Sequence, residues 1–417
     1  MAEVKIENLG SEGDGIGRID GKPIYVTGAL PGETVRISGP GPHFATSEIL
    51  TPSKERQSPP CPHFSTCGGC TFQHASLPML LQWKRAEVAL AFKKAGIDVA
   101  VDETFASAPS SRRRVTFSAR RDGKGVLLGF KERGSDNLVT LQTCTILLPE
   151  LAAQISPLRA IASTMLRGNE EIQISINACD NGMDLDFTLP QQPSETMTAS
   201  FVRAMAKSPY LRGCVNGESV IEKEKPLVTF GRAHVALPPA NFIQAVAAVE
   251  TEMARLVCDH LRPSKRVADL FCGGGTFALR LAERSSVHAV EWKDDMLKAL
   301  QAASGPAKLK EITVERRNLH DLPLTVADLK PFDGLCLDPP RAGAEDQVIQ
   351  IAKTNLRRIA YVSCNPGTLA RDSRHLIDGG FRLKRVVPLD QFVYSPHIEV
   401  VALFEKKPSK GARSIFR

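Results

Sequence analysis

The segment RVADLFCGGGTF, residues 266–277, decides the fold class of this 417-residue chain. It begins as a short apolar run through Leu270, the pattern of a buried strand in a parallel sheet. Three consecutive glycines, Gly273 to Gly275, follow, and a helical stretch comes after them. Glycines at such a place close a tight strand-to-helix turn and let a ligand approach the backbone. The segment therefore predicts the first strand and the ligand loop of a doubly wound α/β domain.

Similar apolar runs recur downstream and alternate with amphipathic segments. They occupy residues 287–291, 334–338 and 359–363, and a last pair, at about 383–389 and 398–405, is close enough to form a hairpin. Strands and helices in alternation predict a mostly parallel sheet whose ligands bind at the carboxyl ends of the strands. We assign residues 238–407 to this Rossmann-like α/β catalytic domain.

The preceding part of the chain divides into two further regions. Residues 1–56 contain short alternating strands separated by glycine turns, which predicts a small OB-like β-barrel. A proline-rich stretch, residues 52–62, marks a boundary, and we assign residues 57–237 to a mixed α+β central domain. Its helix at about 77–95 could pack against the catalytic domain. Residues 408–417 form a basic tail.

Composition limits the class of partner. The chain carries 53 basic and 46 acidic residues, a formal net charge of +7, which permits nucleic-acid binding without establishing it. The sequence has neither an apolar run long enough to span a membrane nor an apolar leader, so we expect a cytoplasmic protein without a membrane partner. The ten cysteines are then metal ligands, a nucleophile or packing residues rather than a disulfide framework.

A carboxylate at the end of the second strand indicates which kind of ligand the glycine loop binds. Glu291 lies 18 residues after Gly273 and can accept hydrogen bonds from both ribose hydroxyls of an adenosine-bearing ligand. Asn318, after the next strand, could contact the adenine edge. The alternatives are a nicotinamide-binding unit and an ordinary tight turn. The lack of a third spaced glycine and the terminal hairpin favour S-adenosylmethionine.

Two loops at strand ends carry the candidate chemistry. The first is Asp338-Pro339-Pro340-Arg341, whose prolines fix the backbone so that Asp338 projects into the crevice. Asp-Pro-Pro loops also occur in methyltransferases that act on amines, but there an aromatic residue follows to stack on the base. Arg341 at that place counts against amine methylation.

The second loop, Ser363-Cys364-Asn365-Pro366, supplies a cysteine at a strand end. Carbon 5 of uracil is a poor nucleophile, and thiolate addition at carbon 6 makes it reactive toward a sulfonium methyl group. A base must then remove the carbon 5 proton, and Glu399, at the start of the last strand, is the candidate. Taken alone, Cys364 is a packing residue and Glu399 a solvated one; their combination with Asp338 favours catalysis.

Four cysteines form a separate candidate site for a metal. Cys61, Cys67, Cys70 and the distant Cys144 could bind zinc or a four-iron cluster, and their spacing does not choose between the two. Gly68 and Gly69 allow the loop to wrap tightly, with amides that could donate to cluster sulfurs. The remaining cysteines apart from Cys364 are interpreted as packing residues: Cys179, Cys214, Cys258, Cys272 and Cys336.

Five arginines are clustered in the central domain, at 112–114 and 120–121. They could neutralise phosphates of a nucleic acid, in which case binding would weaken with salt. The alternative is an edge strand that carries charge to prevent aggregation. The sequence favours neither.

Taken together, the motifs resemble those of the bacterial uracil-5 methyltransferases of large-subunit ribosomal RNA that carry a TRAM domain and an iron–sulfur cluster. The resemblance covers nearly the whole chain, and the Asp-Pro-Pro-Arg and Ser-Cys-Asn-Pro segments are its most specific parts. It implies Cys364 as nucleophile, Glu399 as proton acceptor, 23S rRNA as substrate and S-adenosylmethionine as methyl donor. It also tips the metal site to [4Fe–4S], held by Cys61, Cys67, Cys70 and Cys144. The expected S-adenosylmethionine contacts are Gln244, Phe271, Gly273, Thr276, Glu291, Asn318 and Asp338.

The chain departs from the family pattern at a few places. Thr276 stands where asparagine is usual, Val246 replaces an asparagine, and residues 392–397 read Phe-Val-Tyr-Ser-Pro-His instead of Phe-Pro-x-Thr-x-His. None of these changes removes the nucleophile or the base. The alternatives are a transfer-RNA uracil-5 methyltransferase and a non-catalytic RNA-binding ribosome-assembly factor, with a DNA amine methyltransferase more remote. No obligate protein partner is expected.

Overall fold

The computed structural model describes residues 2–39, 41–123 and 125–407. The basic tail expected at 408–417 lies outside these ranges. Within them, no helix combines the length and apolar character needed to cross a bilayer.

The N-terminal part is a curled six-stranded sheet in the order β1-β5-β6-β4-β3-β2. Its inner residues, among them Val4, Val26 and Val35, alternate with outer ones along the strands and form their own small core. Gly17 packs so close to the Val4 side chain that a Cβ atom would collide with it, which draws β3 against β1. The strands are β1 (Ala2–Lys5), β2 (Asn8–Leu9), β3 (Gly15–Ile19), β4 (Lys22–Thr27), β5 (Thr34–Ser38) and β6 (His43–Thr51).

A second, seven-stranded sheet in the order β13-β12-β11-β10-β7-β8-β9 forms the central part. Apolar side chains on one of its faces pack beneath α3 and α4, whereas the opposite face is polar. The elements are α1 (Leu77–Lys94), β7 (Arg114–Asp122), β8 (Gly125–Lys131), β9 (Leu138–Thr140), α2 (Pro149–Ala152), α3 (Ile155–Met165), β10 (Ile172–Cys179), β11 (Gly182–Thr188), α4 (Glu195–Ala206), β12 (Arg212–Val215) and β13 (Glu218–Glu222). A short hairpin of β14 (Leu227–Phe230) and β15 (Ala233–Ala236) follows.

The C-terminal part is the doubly wound α/β domain that the sequence predicts. Its sheet has the order β18-β17-β16-β19-β20-β22-β21, in which the first five strands are parallel and β22 runs antiparallel to both neighbours. The elements are α5 (Ala247–Leu261), β16 (Arg266–Leu270), α6 (Ala278–Leu281), β17 (Ser286–Glu291), α7 (Asp294–Ser304), β18 (Ile312–Arg316), α8 (Val326–Leu329), β19 (Gly334–Leu337), α9 (Glu345–Ala352), β20 (Arg358–Ser363), α10 (Pro366–Asp378), β21 (Arg382–Leu389) and β22 (Glu399–Glu405).

Helix α1 joins the C-terminal domain although it lies far earlier in the sequence. It begins where the Ser76 hydroxyl caps its first turn, and it packs on α10 and β21. Val88 and Phe92 on its inner face are fully buried in the core of the C-terminal sheet. The domain limits at residues 56 and 237 stay predictions, because this helix belongs by packing to the later domain.

Candidate active site

The predicted functional residues gather at one edge of the C-terminal sheet. Parallel strands end together, so the residues at and after their carboxyl ends share this edge. Phe271 follows β16, Glu291 ends β17, and Asp338 and Cys364 follow β19 and β20. Because β22 is antiparallel to β20, its first residue, Glu399, lies at the same edge.

Two amide side chains join the predicted base to Asp338. Gln391 Nε2 donates to Glu399 Oε1 at 3.2 Å and to Gln244 Oε1 at 2.9 Å. Gln244 Nε2 in turn reaches Asp338 Oδ2 at 3.5 Å. The sequence analysis did not identify Gln391, which lies two residues after the end of β21. Its position orients the Glu399 carboxyl group toward the crevice.

Burial changes the acidity of all three reactive groups. It raises the pKa of Glu399 to about 8, with a further rise from the negative charge of Asp338. It also raises the pKa of Asp338 to about 7. The Cys364 thiol has its pKa raised to about 11, first by burial and then by the charges of Glu399 and Asp338. The three groups therefore influence one another, and the thiol keeps its proton in the free protein.

The loops that carry Asp338 and Cys364 are tied together. Asn365 Oδ1 caps α10 by accepting from the Gly367 N–H at 2.9 Å. Its Nδ2 donates to the Arg341 carbonyl at 3.2 Å. One asparagine thus fixes the cysteine loop to both the helix behind it and the Asp-Pro-Pro-Arg loop beside it.

A cavity of about 200 Å³ opens beside Cys364, and all three parts of the chain line it. Arg341 and His397 come from the C-terminal domain. Glu87 comes from α1, and Glu12 comes from the β2–β3 loop of the N-terminal sheet. The cavity is the place where a substrate base could meet the thiol.

A buried lysine holds the segment that leads to Glu399. Lys84 of α1 is fully buried and forms an ion pair with Asp390, with Nζ 2.6 Å from Oδ1. Its ammonium group also donates to the carbonyls of Phe392 at 3.0 Å and His397 at 2.9 Å. The sequence gives no signal for Lys84, because it looks like any lysine of an amphipathic helix and its partner is 306 residues away.

The same segment is attached to the loop that contains three of the four predicted metal ligands. Tyr394 has a φ of +61° and its carbonyl accepts hydrogen bonds from the N–H groups of Thr71 and Phe72, at 2.8 and 3.0 Å. These two residues directly follow Cys70. We name residues 390–398 the catalytic segment.

Several of the predicted S-adenosylmethionine contacts lie around the glycine loop. Glu291 Oε2 accepts from the Gly273 N–H at 3.1 Å, and Oε1 accepts from the N–H groups of Trp292 and Lys293. These three bonds orient the carboxylate and leave one lone pair, on Oε2, for a ribose hydroxyl. Gly275, with a φ of +96°, could not carry a Cβ without meeting Leu279 at 2.9 Å. The loop therefore fits an adenosine-bearing group held against bare backbone.

Two more predicted contacts meet through a histidine. Phe271 has a φ of +59°, and its ring centroid lies 5.4 Å from that of His320. The His320 N–H donates to Asn318 Oδ1 at 3.2 Å. Thr276 stands apart from these contacts, and its carbonyl accepts from Arg280.

The four predicted metal ligands line one cavity of about 230 Å³. The Gly69 N–H donates to Cys67 Sγ at 3.4 Å, as expected for a loop that surrounds a sulfur-rich group. Burial raises the pKa of Cys67, of Cys144 and, to about 12, of Cys70. Among the described residues, no three His, Cys, Asp or Glu side chains are spaced to hold a single metal ion. The cavity does present four thiols, a donor set that fits either zinc or a four-iron cluster.

Of the five clustered arginines, Arg113 is buried and the other four are half-buried. Strand β7 lies between β10 and β8, so the edge-strand interpretation is wrong. Arg113 is buried and pairs with Glu250 at 2.7 Å, and Arg121 donates to the Ser163 carbonyl. Arg121 has the same alternation along β7 as the buried apolar residues of that strand, so it lies on the face that α3 covers. Arg113 is therefore not a phosphate contact.

Sheet order, glycine loop, acidic strand end and edge cysteine together define a Rossmann-like methyltransferase. The sequence comparisons specify the kind. The "TRAM domain" profile matches residues 2–38, and the profile described as "tRNA (Uracil-5-)-methyltransferase" matches residues 223–407. The chain belongs to the family of S-adenosylmethionine-dependent RNA uracil-5 methyltransferases.

Full-length relatives support this assignment. An RNA methyltransferase of Mesorhizobium japonicum is 43% identical, over 97% of this chain and 98% of the relative. The 23S rRNA (uracil(1939)-C(5))-methyltransferase RlmD of Pectobacterium atrosepticum is 32% identical, over 96% of this chain and 93% of the relative. The crystal structure of the Pyrococcus abyssi tRNA (uracil-54, C5)-methyltransferase with S-adenosyl-L-homocysteine shares the fold, with a TM-score of 0.74 and 21% identity over 97% of this chain and 100% of that chain.

Proposed function

We propose that this enzyme acts in the cytoplasm and methylates carbon 5 of a uridine in 23S rRNA through a covalent adduct with Cys364. The convergence of Cys364, Glu399 and Asp338 on one crevice is the observation that carries the mechanism. The full-length similarity to RlmD, which is a 23S rRNA enzyme, favours the substrate. The second candidate is a transfer RNA, because the matching catalytic profile is described by that substrate.

Cys364 begins the reaction in this proposal. Its Sγ adds to carbon 6 of the uracil ring, and the electron pair of the carbon 5–carbon 6 double bond moves to form an enolate. The proton on the thiol must leave first, since burial holds its pKa at about 11. Two carboxylates influence this thiol, and Asp338 is the one that accepts its proton, so that Glu399 remains available as the base of the later step.

Glu399 completes the reaction. Carbon 5 bonds to the transferred methyl group, and Glu399 then takes the proton from carbon 5. The electron pair of that carbon–hydrogen bond restores the ring double bond, and the carbon 6–sulfur bond breaks to release the thiolate. A carboxyl group with a pKa of about 8 is a stronger base than an ordinary glutamate, which suits this step.

S-adenosylmethionine supplies the methyl group, and we assign its binding to the crevice around the glycine loop. Glu291 would hold the ribose and Gly273 the backbone side of the ligand, because the two are already hydrogen bonded. Asp338 and Gln244 border the side near Cys364. The remaining proposed contacts are Phe271, Thr276 and Asn318.

The four cysteines of the second cavity are proposed to bind a [4Fe–4S] cluster. Thiols from the 61–70 loop and Cys144 would act as the ligands, once deprotonated by the metal. The methyl transfer needs no electron, so we expect the cluster to have a structural or RNA-positioning role. The proposed domain division into barrel, central domain and catalytic domain follows the limits given above.

The first experiment is methylation of unmodified 23S rRNA and, separately, unmodified tRNA, with the nucleosides analysed by mass spectrometry. We expect 5-methyluridine in the rRNA only. Product in tRNA only would overturn the substrate and keep the mechanism. The mechanism is tested with the Cys364→Ala variant, for which 5-methyluridine in either RNA would contradict it.

A further inference from the structure

A second polar cavity, of about 170 Å³, lies on the face of the central sheet opposite α3 and α4. We name it the β-face cavity. Side chains of β7, β10 and β11 form its floor, and the segment from Ala240 to Phe242 forms its wall. None of the proposed catalytic or S-adenosylmethionine residues lines it.

Two buried amides in the β-face cavity lack hydrogen-bond partners. Asn177 and Asn241 are each 6% exposed. Asn177 Nδ2 donates to the Asn241 carbonyl at 3.2 Å. Within the described ranges, Asn177 Oδ1 and both amide atoms of Asn241 have no partner. Buried polar atoms left without partners destabilise a fold, so these amides point to a ligand.

The wall of the cavity offers a stacking surface. The Phe242 side chain is 56% exposed, which is unusual for a phenylalanine. The guanidinium group of Arg114 lies 4.2 Å from the centre of its ring. Aromatic rings and guanidinium planes are the groups on which proteins stack unpaired nucleobases.

The polar groups of the floor select against a phosphate. Asp184 and Asp186 both line the cavity, the first paired with Arg212 and the second accepting from the Gly217 N–H. Two carboxylates repel an anion but attract an amino group. Together with the amide of Asn241, which offers a donor beside an acceptor, they match a base that carries an exocyclic amine, as adenine does.

The cavity is also close to the methyl-transfer crevice along the chain. Asn241 is three residues before Gln244, which contacts Asp338. Arg113, next to Arg114, donates to the Gln244 carbonyl at 3.0 Å. A base in the β-face cavity and a uracil at Cys364 would therefore be neighbours on one RNA loop.

We propose that the β-face cavity binds a second unstacked nucleobase of the substrate RNA, one with an exocyclic amine and best fitted by adenine. This inference rests on the proposed function only in that the substrate is RNA. The second base determines which uridine of an RNA loop enters the cavity beside Cys364, which we name the catalytic cavity. Two bases that are bound at once fix the position of the RNA between them.

The test is a scan of abasic sites along the RNA fragment, of 23S rRNA or tRNA, that the wild-type protein binds most tightly. Equilibrium binding is measured for the wild type and for the Asn177→Leu and Phe242→Ala variants. One abasic position should weaken wild-type binding about tenfold, as expected for the loss of one stacked base. At that position, and at no other, removal of the base should weaken RNA binding by the two variants less than twofold. Purine riboside, which keeps the ring but lacks the amine, should recover only part of the abasic loss at that position.

Binding is chosen because it can be measured whether or not methylation occurs, so failure of the proposed function shows separately as absent 5-methyluridine. The matched control is Val326→Ala, which shortens an exposed apolar residue elsewhere in the protein, on α8. This variant should show the same loss of binding to the abasic RNA, about tenfold, as the wild type. Thermal unfolding of each variant confirms that it is folded; Phe242→Ala is the safer variant because the side chain is exposed. Equal losses in the wild type and the variants at every position would overturn the proposal. Full binding of the purine riboside RNA would exclude recognition of an amine.

Discussion

At the scale of single residues, the proposed nucleophile, Cys364, occupies a site that disfavours its thiolate form. Two carboxylates and burial raise the pKa of the Cys364 thiol to about 11, far above neutral pH. The same burial raises the pKa of Glu399 to about 8, so this carboxyl group keeps its proton for much of the time at neutral pH. We infer that the thiolate does not accumulate in the free protein, and that the thiol loses its proton to the neighbouring Asp338 carboxylate as Sγ adds to the substrate base.

The pH dependence of turnover should report Glu399. The carboxylate form is needed to remove the carbon 5 proton, so the single-turnover rate should rise about tenfold per pH unit below pH 8 and level off above it. The rate is measured as the release of free RNA carrying 5-methyluridine from the Cys364 adduct, in a single turnover at saturating RNA and S-adenosylmethionine, from pH 6 to 9.5. Glu311→Gln, at an exposed carboxylate, should leave the profile unchanged. A flat profile between pH 6.5 and 8 would show that Glu399 is not the base.

Replacing Glu399 by Gln should trap the reaction part-way. Addition of Cys364 and methyl transfer do not require the carboxylate, whereas elimination does. The variant should therefore accumulate an RNA–protein adduct that survives a denaturing gel. Glu399→Gln with Cys364→Ala is the control, and it should form none. Free 5-methyluridine at the wild-type rate from the single variant would contradict the assigned role.

The same variant should change stability in a pH-dependent way. A carboxyl group whose pKa is raised on folding holds its proton more tightly in the folded than in the unfolded state. Its contribution to stability is therefore lost as the pH rises from about 4.5 to 8. Gln cannot ionise, so Glu399→Gln should match the wild type near pH 4.5 and become increasingly more stable up to pH 8. Urea unfolding at pH 5, 7 and 9 tests the sign; a variant less stable at pH 9 refutes it.

The sequence predicted the residues with their own chemistry and missed those that act through contacts. Cys364, Glu399 and Asp338 could be predicted because each follows or begins an apolar strand in a recognisable loop. Gln391 and Lys84 could not, because a glutamine and a lysine acquire their roles only from partners distant in the chain. Pairwise contacts of this kind leave no local pattern.

At the scale of elements, sequence periodicity predicted where strands occur but not which strands lie next to each other in a sheet. Apolar runs and the glycine loop predicted four of the five parallel strands of the C-terminal sheet, β16, β17, β19 and β20, and the terminal hairpin, whereas β18 was expected only as an unlocated strand before Asn318. Strand β7 was less predictable: its order in the sheet depends on β10, which follows it by some fifty residues. Alternation of apolar and charged residues is the same in an edge strand and in a central strand of a sheet with one polar face.

The contact between α1 and the catalytic segment should be essential to both stability and catalysis. Lys84→Met leaves Asp390 buried without its partner, which costs about 3–5 kcal/mol for a buried ion pair. It also frees the carbonyls of Phe392 and His397, so the approach to Glu399 loosens and the turnover rate should fall more than RNA affinity. Urea unfolding and a comparison of kcat with the RNA dissociation constant measure the two effects.

The control for this prediction is chosen on the same helix. Lys93→Met removes an exposed lysine of α1 and should change neither quantity. The double variant Lys84→Met with Asp390→Asn should recover part of the stability, since no unpaired charge remains, but not the turnover rate. Recovery of both would mean that Lys84 has only a structural role.

At the scale of the whole molecule, the three parts of the chain meet at the catalytic cavity. Glu12 of the N-terminal sheet, Glu87 of α1 and Arg341 of the C-terminal domain all line it. No local pattern in the sequence could predict this, because the three residues come from elements that are independent until they pack. Substrate recognition and chemistry therefore share one surface.

Loss of the proposed cluster should loosen the catalytic segment, although the two sites share no ligand. Thr71 and Phe72 follow Cys70 and donate to the Tyr394 carbonyl, so movement of the cysteine loop pulls on residues 390–398. Protein prepared without oxygen should contain about four irons per chain. After oxidation and chelation, amide hydrogen exchange should accelerate both in residues 61–74 and in residues 390–398, and not in β16.

Two results separate the parts of this prediction. If the protein binds no iron under reducing conditions, the cluster proposal is wrong. The hydrogen bonds to Tyr394 would then be only a structural contact between the cysteine loop and the catalytic segment. Faster exchange in residues 61–74 without a change in residues 390–398 would keep the cluster and reject the coupling. Cys258→Ser, a cysteine far from the cavity in the chain and not among its lining residues, should retain its iron and the slow exchange of both segments. Movement of the cysteine loop would reach the proposed base because Tyr394 anchors the catalytic segment and Glu399 is the next residue after that segment.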